Sequence, residues 1–319
     1  MRHTNKILIV TGCNSSFFFN LRVLLGSWML HMADYELAVC DFGMSEMQLT
    51  ELEKVPGLTI LHIDALISEP WLGKTLLDQF IKHRINEIDI IMWIDADAFF
   101  NSTIPNVYPI LEGYDLLIDA HVQSVSEITD EKTIDDLGLR ASDSYFSSGF
   151  WIIRPNGFFK KYEQLGRLVY GRSFWEQDAF VAAIYMERLK IRTINGSIWH
   201  CRGKTSLSTC TVDGLTAFYN QEPIYVIHAN DHYRIRKDGR RVLYRPVLAK
   251  LQLYYENIYN ERMGFKKIVV NKLSYYAFYL LFLIKNSTIV FKRAIIKITK
   301  AIGIYDTIVK IYKSAKNKK

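Results

Sequence analysis

Asp95 and Asp97 stand two residues apart just beyond an apolar run, Ile88-Asp-Ile-Ile-Met-Trp-Ile94. Alternate side chains of an extended strand share a face, and a turn after the strand can aim both carboxylates at one point. Two hard oxygen ligands suit Mg²⁺ or Mn²⁺, and such an ion can bridge the phosphates of a nucleotide. Spacing alone leaves a plainer alternative open, a pair of solvated loop aspartates. Their place after a strand favours chemistry, because ligands of open α/β sheets bind beyond the carboxyl ends of the strands.

The surrounding segments alternate as an α/β sheet requires. Ile7 to Thr11, Glu36 to Cys40 and Leu58 to Ile63 read as strands, with Leu21 to Met32 and Glu46 to Lys54 as helices between them. A parallel sheet is expected. Lys74 to Arg84 reads as one helix, with Leu76, Leu77, Phe80 and Ile81 on one face, leading into the buried strand that ends at Ile94. Further on come Asp115 to Asp119, a strand at Tyr145 to Arg154, helices at Gly157 to Tyr170 and Glu176 to Leu189, and a strand at Tyr225 to His228. The polar, acidic stretch from Thr129 to Ser144 reads as a loop. After Pro246 the pattern is helical.

Four stretches, in order, carry a resemblance. Trp93-Ile-Asp-Ala-Asp-Ala-Phe-Phe100 resembles the D-x-D segment of GT-A-fold nucleotide-sugar glycosyltransferases, and the other three resemble the retaining family 8 group, which includes glycogenin and lipooligosaccharide galactosyltransferases. Tyr145-Phe-Ser-Ser-Gly-Phe-Trp-Ile-Ile153 is similar to that family's "YFNAGVLLI", Glu176-Gln-Asp178 to its "DQD", and His228-Ala-Asn-Asp-His-Tyr-Arg234 to its "HxxGxxK". Val10 to Phe17 looks like the first strand and nucleoside-binding turn. The fold implied is α/β, a GT-A (Rossmann-like) nucleotide-diphospho-sugar transferase fold over residues 1–246, with a helical, basic, amphipathic C-terminal extension over 247–319.

The resemblance also implies roles. Asp95, Asp97 and His228 would hold the metal, Mn²⁺ or Mg²⁺. Thr11, Asn14, Lys74, Ser148, Gly149 and Arg234 would meet the UDP-sugar donor, with Lys74 and Arg234 on its phosphates. Arg in place of the family's lysine keeps a phosphate donor, whereas Asp231 stands where the family has glycine. Glu176, Gln177 and Asp178 would line the sugar, as a glycosyl transfer with positive charge developing on the ring requires. Each has a plainer reading: a core histidine at His228, solvated surface charge at Lys74 and Arg234, and an exposed helix N-terminus favouring acids at Glu176. The other seven histidines stand in no comparable context.

Charge divides the chain in two. The whole carries +7, yet Phe265 to Lys319 holds thirteen basic residues against one acid, while the preceding part holds 27 basic and 32 acidic, a net of −5. The body is therefore no nucleic-acid binder. The tail suits an anionic membrane surface: Ile295, Ile298, Ile302, Tyr305, Ile308 and Tyr312 recur every three or four residues with lysines between them. The apolar stretch Tyr275 to Ile284 is half the length needed to cross a bilayer. Four cysteines without a C-x-x-C pair, although Cys201 and Cys210 could be bridged, and the short first apolar run point to a cytoplasmic protein, peripheral on the membrane. The expected reaction is transfer of a hexose to a glycan or glycolipid hydroxyl with retention of configuration. One rival is a sugar-nucleotide pyrophosphorylase, but Thr11 to Phe17 has one glycine and no basic residue where that enzyme needs a phosphate loop. The other rival is a catalytically silent, membrane-associated glycan- or nucleotide-binding protein.

Overall fold

The computed structural model describes residues 6–65, 67–172, 174–202, 211–229, 246–268 and 298–300, together with 303 and 306. Strand β1 (Ile7–Cys13) leads into helix α1 (Phe18–His31), followed by β2 (Glu36–Asp41), α2 (Glu46–Leu52) and β3 (Leu58–Leu61). Ser45 and Gln48 form a reciprocal capping box at the start of α2. Helices α3 (Pro70–Thr75) and α4 (Leu77–Ile81) precede β4 (Ile90–Ile94), after which come β5 (Ala98–Phe100) and β6 (Leu116–Ser124). Helix α5 (Glu131–Asp136), β7 (Ser144–Ile153), α6 (Phe158–Leu168), α7 (Trp175–Met186) and β8 (Ile191–Ile194) complete the larger sheet and its cover. The chain then forms α8 (Gly196–Trp199), β9 (Cys201–Arg202), β10 (Thr211–Asp213), β11 (Thr216–Tyr219), β12 (Glu222–Pro223), β13 (Val226–His228) and α9 (Pro246–Arg262).

Seven strands pair in the order β3-β2-β1-β4-β7-β6-β8. The first four are parallel, and β8 is parallel to β6, but β7 runs antiparallel to both of its neighbours. The parallel sheet expected of the first strands is present, and β7 makes the whole a parallel-rich mixed one. An unbroken apolar run such as Tyr145 to Ile153 packs equally well in either direction, so its composition does not encode polarity. Two corrections are local. The single helix expected from Lys74 to Arg84 instead starts at Pro70, which suits a first turn, and breaks at Leu76, whose φ of −88° and ψ of 14° leave the helical region. The loop expected from Thr129 to Ser144 contains α5, capped by Asp130 accepting from the Thr133 amide.

Apolar side chains fill both faces of the sheet. On one, Trp93 and Trp151 lie parallel at 6.0 Å and pack on Phe158, Phe159 and Phe180 of α6 and α7. On the other, Ile9, Met92 and Ile94 meet Leu21, Leu24, Leu25 and Trp28 of α1. Helix α9 crosses α1 at Gly26, where a Cβ would run into the Tyr255 carbonyl, so the absence of a side chain sets the closeness of the two backbones. Tyr255 and Tyr259 are fully buried there. Among the described residues no helix is long and apolar enough to cross a membrane. Cys13, Cys40 and Cys201 are buried and free, and Cys210 lies outside the described residues.

A second, three-stranded sheet, β5-β13-β9, positions the site. It pairs His228 with Ala98 and with Arg202. The residue after the D-x-D thereby sits beside the end of a strand more than a hundred residues further along the chain.

Candidate active site

Asp95 leaves β4 with its amide bonded to the Gly149 carbonyl at 3.0 Å, and its own carbonyl accepts from Ala98 N at 2.9 Å. This turn sends both aspartates the same way. Carboxylate oxygens of Asp95 and Asp97 and a ring nitrogen of His228 all lie within 4.8 Å of one another. His228 Nε2 is 3.0 Å from Asp97 Oδ1 and 3.9 Å from Asp95 Oδ2. Burial opposes the charged form of His228, but Asp97 and then Asp95 outweigh it and hold the ring above its ordinary pKa. A Cβ on Gly149 would come within 2.8 Å of the His228 ring and 3.1 Å of Asp95 Oδ2, so glycine is needed for the three to converge.

The other oxygen of Asp95 is fully engaged. Oδ1 accepts from Trp93 Nε1 at 2.7 Å and from Lys74 Nζ at 3.0 Å. Lys74 is buried, at 5% exposure, and also donates to Ser148 Oγ at 3.2 Å and lies 3.5 Å from Glu176 Oε1. Burial works to lower its pKa, yet Asp95 and Glu176 outweigh that and raise it. Each of its three N–H groups thus faces a protein oxygen, so the direct phosphate contact expected of Lys74 is not open in this arrangement, and neither is the solvated reading. Glu176 is buried as well, accepting from Ser148 Oγ at 3.1 Å and from the Tyr162 hydroxyl. Burial, then the Glu176 carboxylate, pushes the Tyr162 phenol well up.

Asp95 and Glu176 bring two carboxylates to the Lys74 ammonium, and Asp97 adds a third carboxylate beside Asp95 and His228. Two carboxylates and an imidazole on one side of the cluster are a donor set suited to Mn²⁺ or Mg²⁺, and the space kept by Gly149 lies beside them.

The remaining expected residues divide. Gln177 Nε2 lies 3.5 Å from His121 Nε2, whose pKa is pushed down to about 4 by burial and then by Arg202. Asp178 turns away from Glu176, as neighbours two apart on a helix must. It is fully buried and accepts from Thr129 Oγ1 at 2.6 Å and the Tyr145 hydroxyl at 2.7 Å, while burial raises its carboxyl above the usual range. Thr11 is buried in β1, its hydroxyl without a hydrogen-bond partner among the described residues. Asn14 accepts from the Ser16 and Phe17 amides and so caps a short turn before α1. Asp97 contributes, after burial and Asp41, to the raised pKa of Cys13, which places the end of β1 near the acids. Asp231 and Arg234 lie outside the described residues.

His200 corrects the expectation that no other histidine has a comparable setting. It is fully buried, with Nε2 3.0 Å from His228 Nδ1 and Nδ1 3.8 Å from Asp119 Oδ2. Burial, then His228, drives its pKa well down. Asp119 accepts from Arg202 Nε at 3.0 Å. No spacing signal marks His200, Asp119 or Tyr162, because each reaches the site only through strand pairing or helix packing.

The fold matches those of solved glycosyltransferases. WbbM, a bifunctional glycosyltransferase in its apo form, superposes with a TM-score of 0.53 at 11% identity, over 79% of this chain and 50% of that one. The chain therefore spans about half the length of WbbM. LgtC, a galactosyltransferase in complex with donor and acceptor sugar analogues, gives 0.51 at 13% identity, over 84% of this chain and 99% of that one. At these identities the likeness is one of fold, and the fold is GT-A. No family model matches the sequence, and no curated protein matches it.

Proposed function

We propose that this chain is a divalent-cation-dependent glycosyltransferase that moves a hexose from a UDP-linked sugar to a hydroxyl of a glycan or glycolipid, with retention of configuration. The observation that carries this reading is the convergence of Asp95, Asp97 and His228 at the carboxyl end of the central strand, within 4.8 Å of one another. Asp95, Asp97 and His228 would hold the cation, which when bound supplies positive charge against the departing diphosphate. The GT-A fold and the resemblance of the four ordered stretches support the donor class and the retaining outcome.

The chain's own groups have separable tasks in this reading. Lys74 and Trp93 fix the Asp95 carboxylate through one oxygen, leaving the other on the His228 side. Tyr162 and Ser148 orient Glu176, whose negative charge can offset positive charge developing on the sugar ring. Gln177, which lies beside His121, bonds a sugar hydroxyl in this reading. Asp178, whose Oδ1 accepts from both Thr129 and Tyr145, anchors the start of α7 rather than touching substrate. Thr11 and Asn14 shape the turn after β1 for the nucleoside, Ser148 and Gly149 border the donor, and Arg234 takes the diphosphate.

Residues 1–246 form the catalytic unit in this proposal, and 247–319 the extension, whose basic tail holds the enzyme on the cytoplasmic face of an anionic membrane. The deciding experiment is a screen of nucleotide sugars for binding and slow hydrolysis with and without Mn²⁺. UDP-hexose turnover that EDTA abolishes is expected, and undiminished turnover in EDTA sinks the cation-dependent reading. Removal of residues 269–319, which keeps α9, should release the protein from anionic liposomes while preserving hydrolysis. Equal sedimentation of both forms at low salt rules the anchor out.

A further inference from the structure

A cation can bind only a ring nitrogen that carries no proton, so the tautomer of a histidine ligand decides whether it is one. On His228 the nitrogen facing the acids is Nε2, and Nδ1 points away from them to His200 Nε2 at 3.0 Å. The two ring centroids are 5.1 Å apart and the planes differ by 27°. With the nearest nitrogens at 3.0 Å, those values mean that the rings meet edge to edge, not face to face. A proton between them therefore lies near the line joining the nitrogens, as a strong hydrogen bond needs.

His200 is itself held. Its backbone N–H donates to the Gly196 carbonyl at 3.1 Å, and Cys201, the next residue, pairs with Ile227 in the small sheet. Its Nδ1 is buried without a hydrogen-bond partner among the described residues and faces Asp119 Oδ2 at 3.8 Å. Asp119 is pinned by Arg202 and pressed against Gly196, where a Cβ would collide with the carboxylate.

We propose that His200 is a positioning residue that sets the tautomer of His228, placing the proton on Nδ1 and offering a bare Nε2 to the divalent cation. The inference rests on the reading that Asp95, Asp97 and His228 hold that cation. Without a cation, the 3.0 Å contact between His228 Nε2 and Asp97 Oδ1 requires a proton on Nε2, and Nδ1 accepts from His200 Nε2. With the cation on Nε2, His228 would carry its proton on Nδ1, and His200, accepting that N–H on Nε2, would carry its own proton on Nδ1. In that arrangement both rings are neutral, and the His200 N–H points at the Asp119 carboxylate. An imidazole oriented in this way is the more basic ligand.

The test is Mn²⁺ affinity by calorimetry on the full chain, together with ¹⁵N NMR of the histidine rings in the Mg²⁺-loaded protein. His200→Phe keeps the ring shape and removes the acceptor, and should weaken Mn²⁺ binding by about 10–100-fold. His200→Gln, whose amide oxygen reaches the place of Nε2, should bind within about threefold of the parent. The loaded parent should show His228 protonated on Nδ1. Equal Mn²⁺ affinity in a folded His200→Phe overturns the proposal, as does an Nε2-protonated His228 under Mg²⁺. If His200→Phe does not fold, the ring tautomer and His200→Gln decide, weak binding in the latter also counting against it. A parent that binds no Mn²⁺ brings down the cation reading as well, which separates the two failures.

Discussion

The two oxygens of Asp95 look onto differently built flanks. On the Oδ1 side, Trp93, Lys74, Ser148, Glu176 and Tyr162 satisfy one another, with donors matched to acceptors and almost no exposure. On the Oδ2 side, Asp97 and His228 bring a carboxylate oxygen and a ring nitrogen to within 4.8 Å of Asp95 and of each other. The first flank is closed by the protein itself, whereas the second gathers the oxygen and nitrogen donors that the proposed cation would use. Charged residues in one site can therefore serve opposite ends: those buried among matched protein partners hold geometry, and those gathered as a donor set are the ones proposed to bind the cation.

Substitution should separate the flanks. Asp97→Asn removes a ligand charge on the open side, and turnover should fall on the order of 10³-fold, equivalent to about 4 kcal/mol. Its urea midpoint should stay near that of the parent. A variant that unfolds instead would erase the distinction. Lys74→Met strands Asp95 and Glu176 on the closed side and should cost about 3–5 kcal/mol of stability, measured by denaturant unfolding. If the variant is as stable as the parent but has lost UDP affinity, Lys74 belongs with the donor after all.

Smaller changes sharpen the boundary. Tyr162→Phe leaves one oxygen of Glu176 without its buried donor and should cost about 1.5–3 kcal/mol of stability, with Mn²⁺ affinity unchanged. Gly149→Ala touches both flanks at their seam. Its methyl must push against the His228 ring, and Mn²⁺ affinity should drop about tenfold, near 1.4 kcal/mol, while the melting temperature moves little. Unaltered Mn²⁺ binding in Gly149→Ala would mean that the cation sits elsewhere.

How much of this could be read from residues alone follows from how each flank is made. The open flank was legible because an apolar strand ending in two acids and a short strand ending in histidine are local patterns, and the sheet brings Ala98 and His228 into register. Lys74 was found, but as a donor ligand. Its burial depends on α3 starting at Pro70 and breaking at Leu76, which turns its ammonium inward between Asp95 and Glu176. Periodicity, which ran a helix through that break, could not register it. Asp178 carried the same acidic signal as Glu176, yet the helix turn sends it to Thr129 and Tyr145. His200 had no signal, since two-residue β9 beside β13 leaves no periodic trace. The reversal of β7 was invisible for a different reason, as a fully buried strand has the same composition in either direction.

The close crossing at Gly26 bears on how the molecule is made. Val23 of α1 is buried against Leu248, Leu251 and Tyr255, which lie on the opposite side of the whole sheet domain in chain order. During synthesis α1 leaves the ribosome well before α9, and its α9-facing side stays wet until the sheet strands between them have been made. Contacts so distant in sequence are paid for in loop entropy before they return anything. The newborn chain thus waits with an apolar helix face uncovered until α9 arrives to close it.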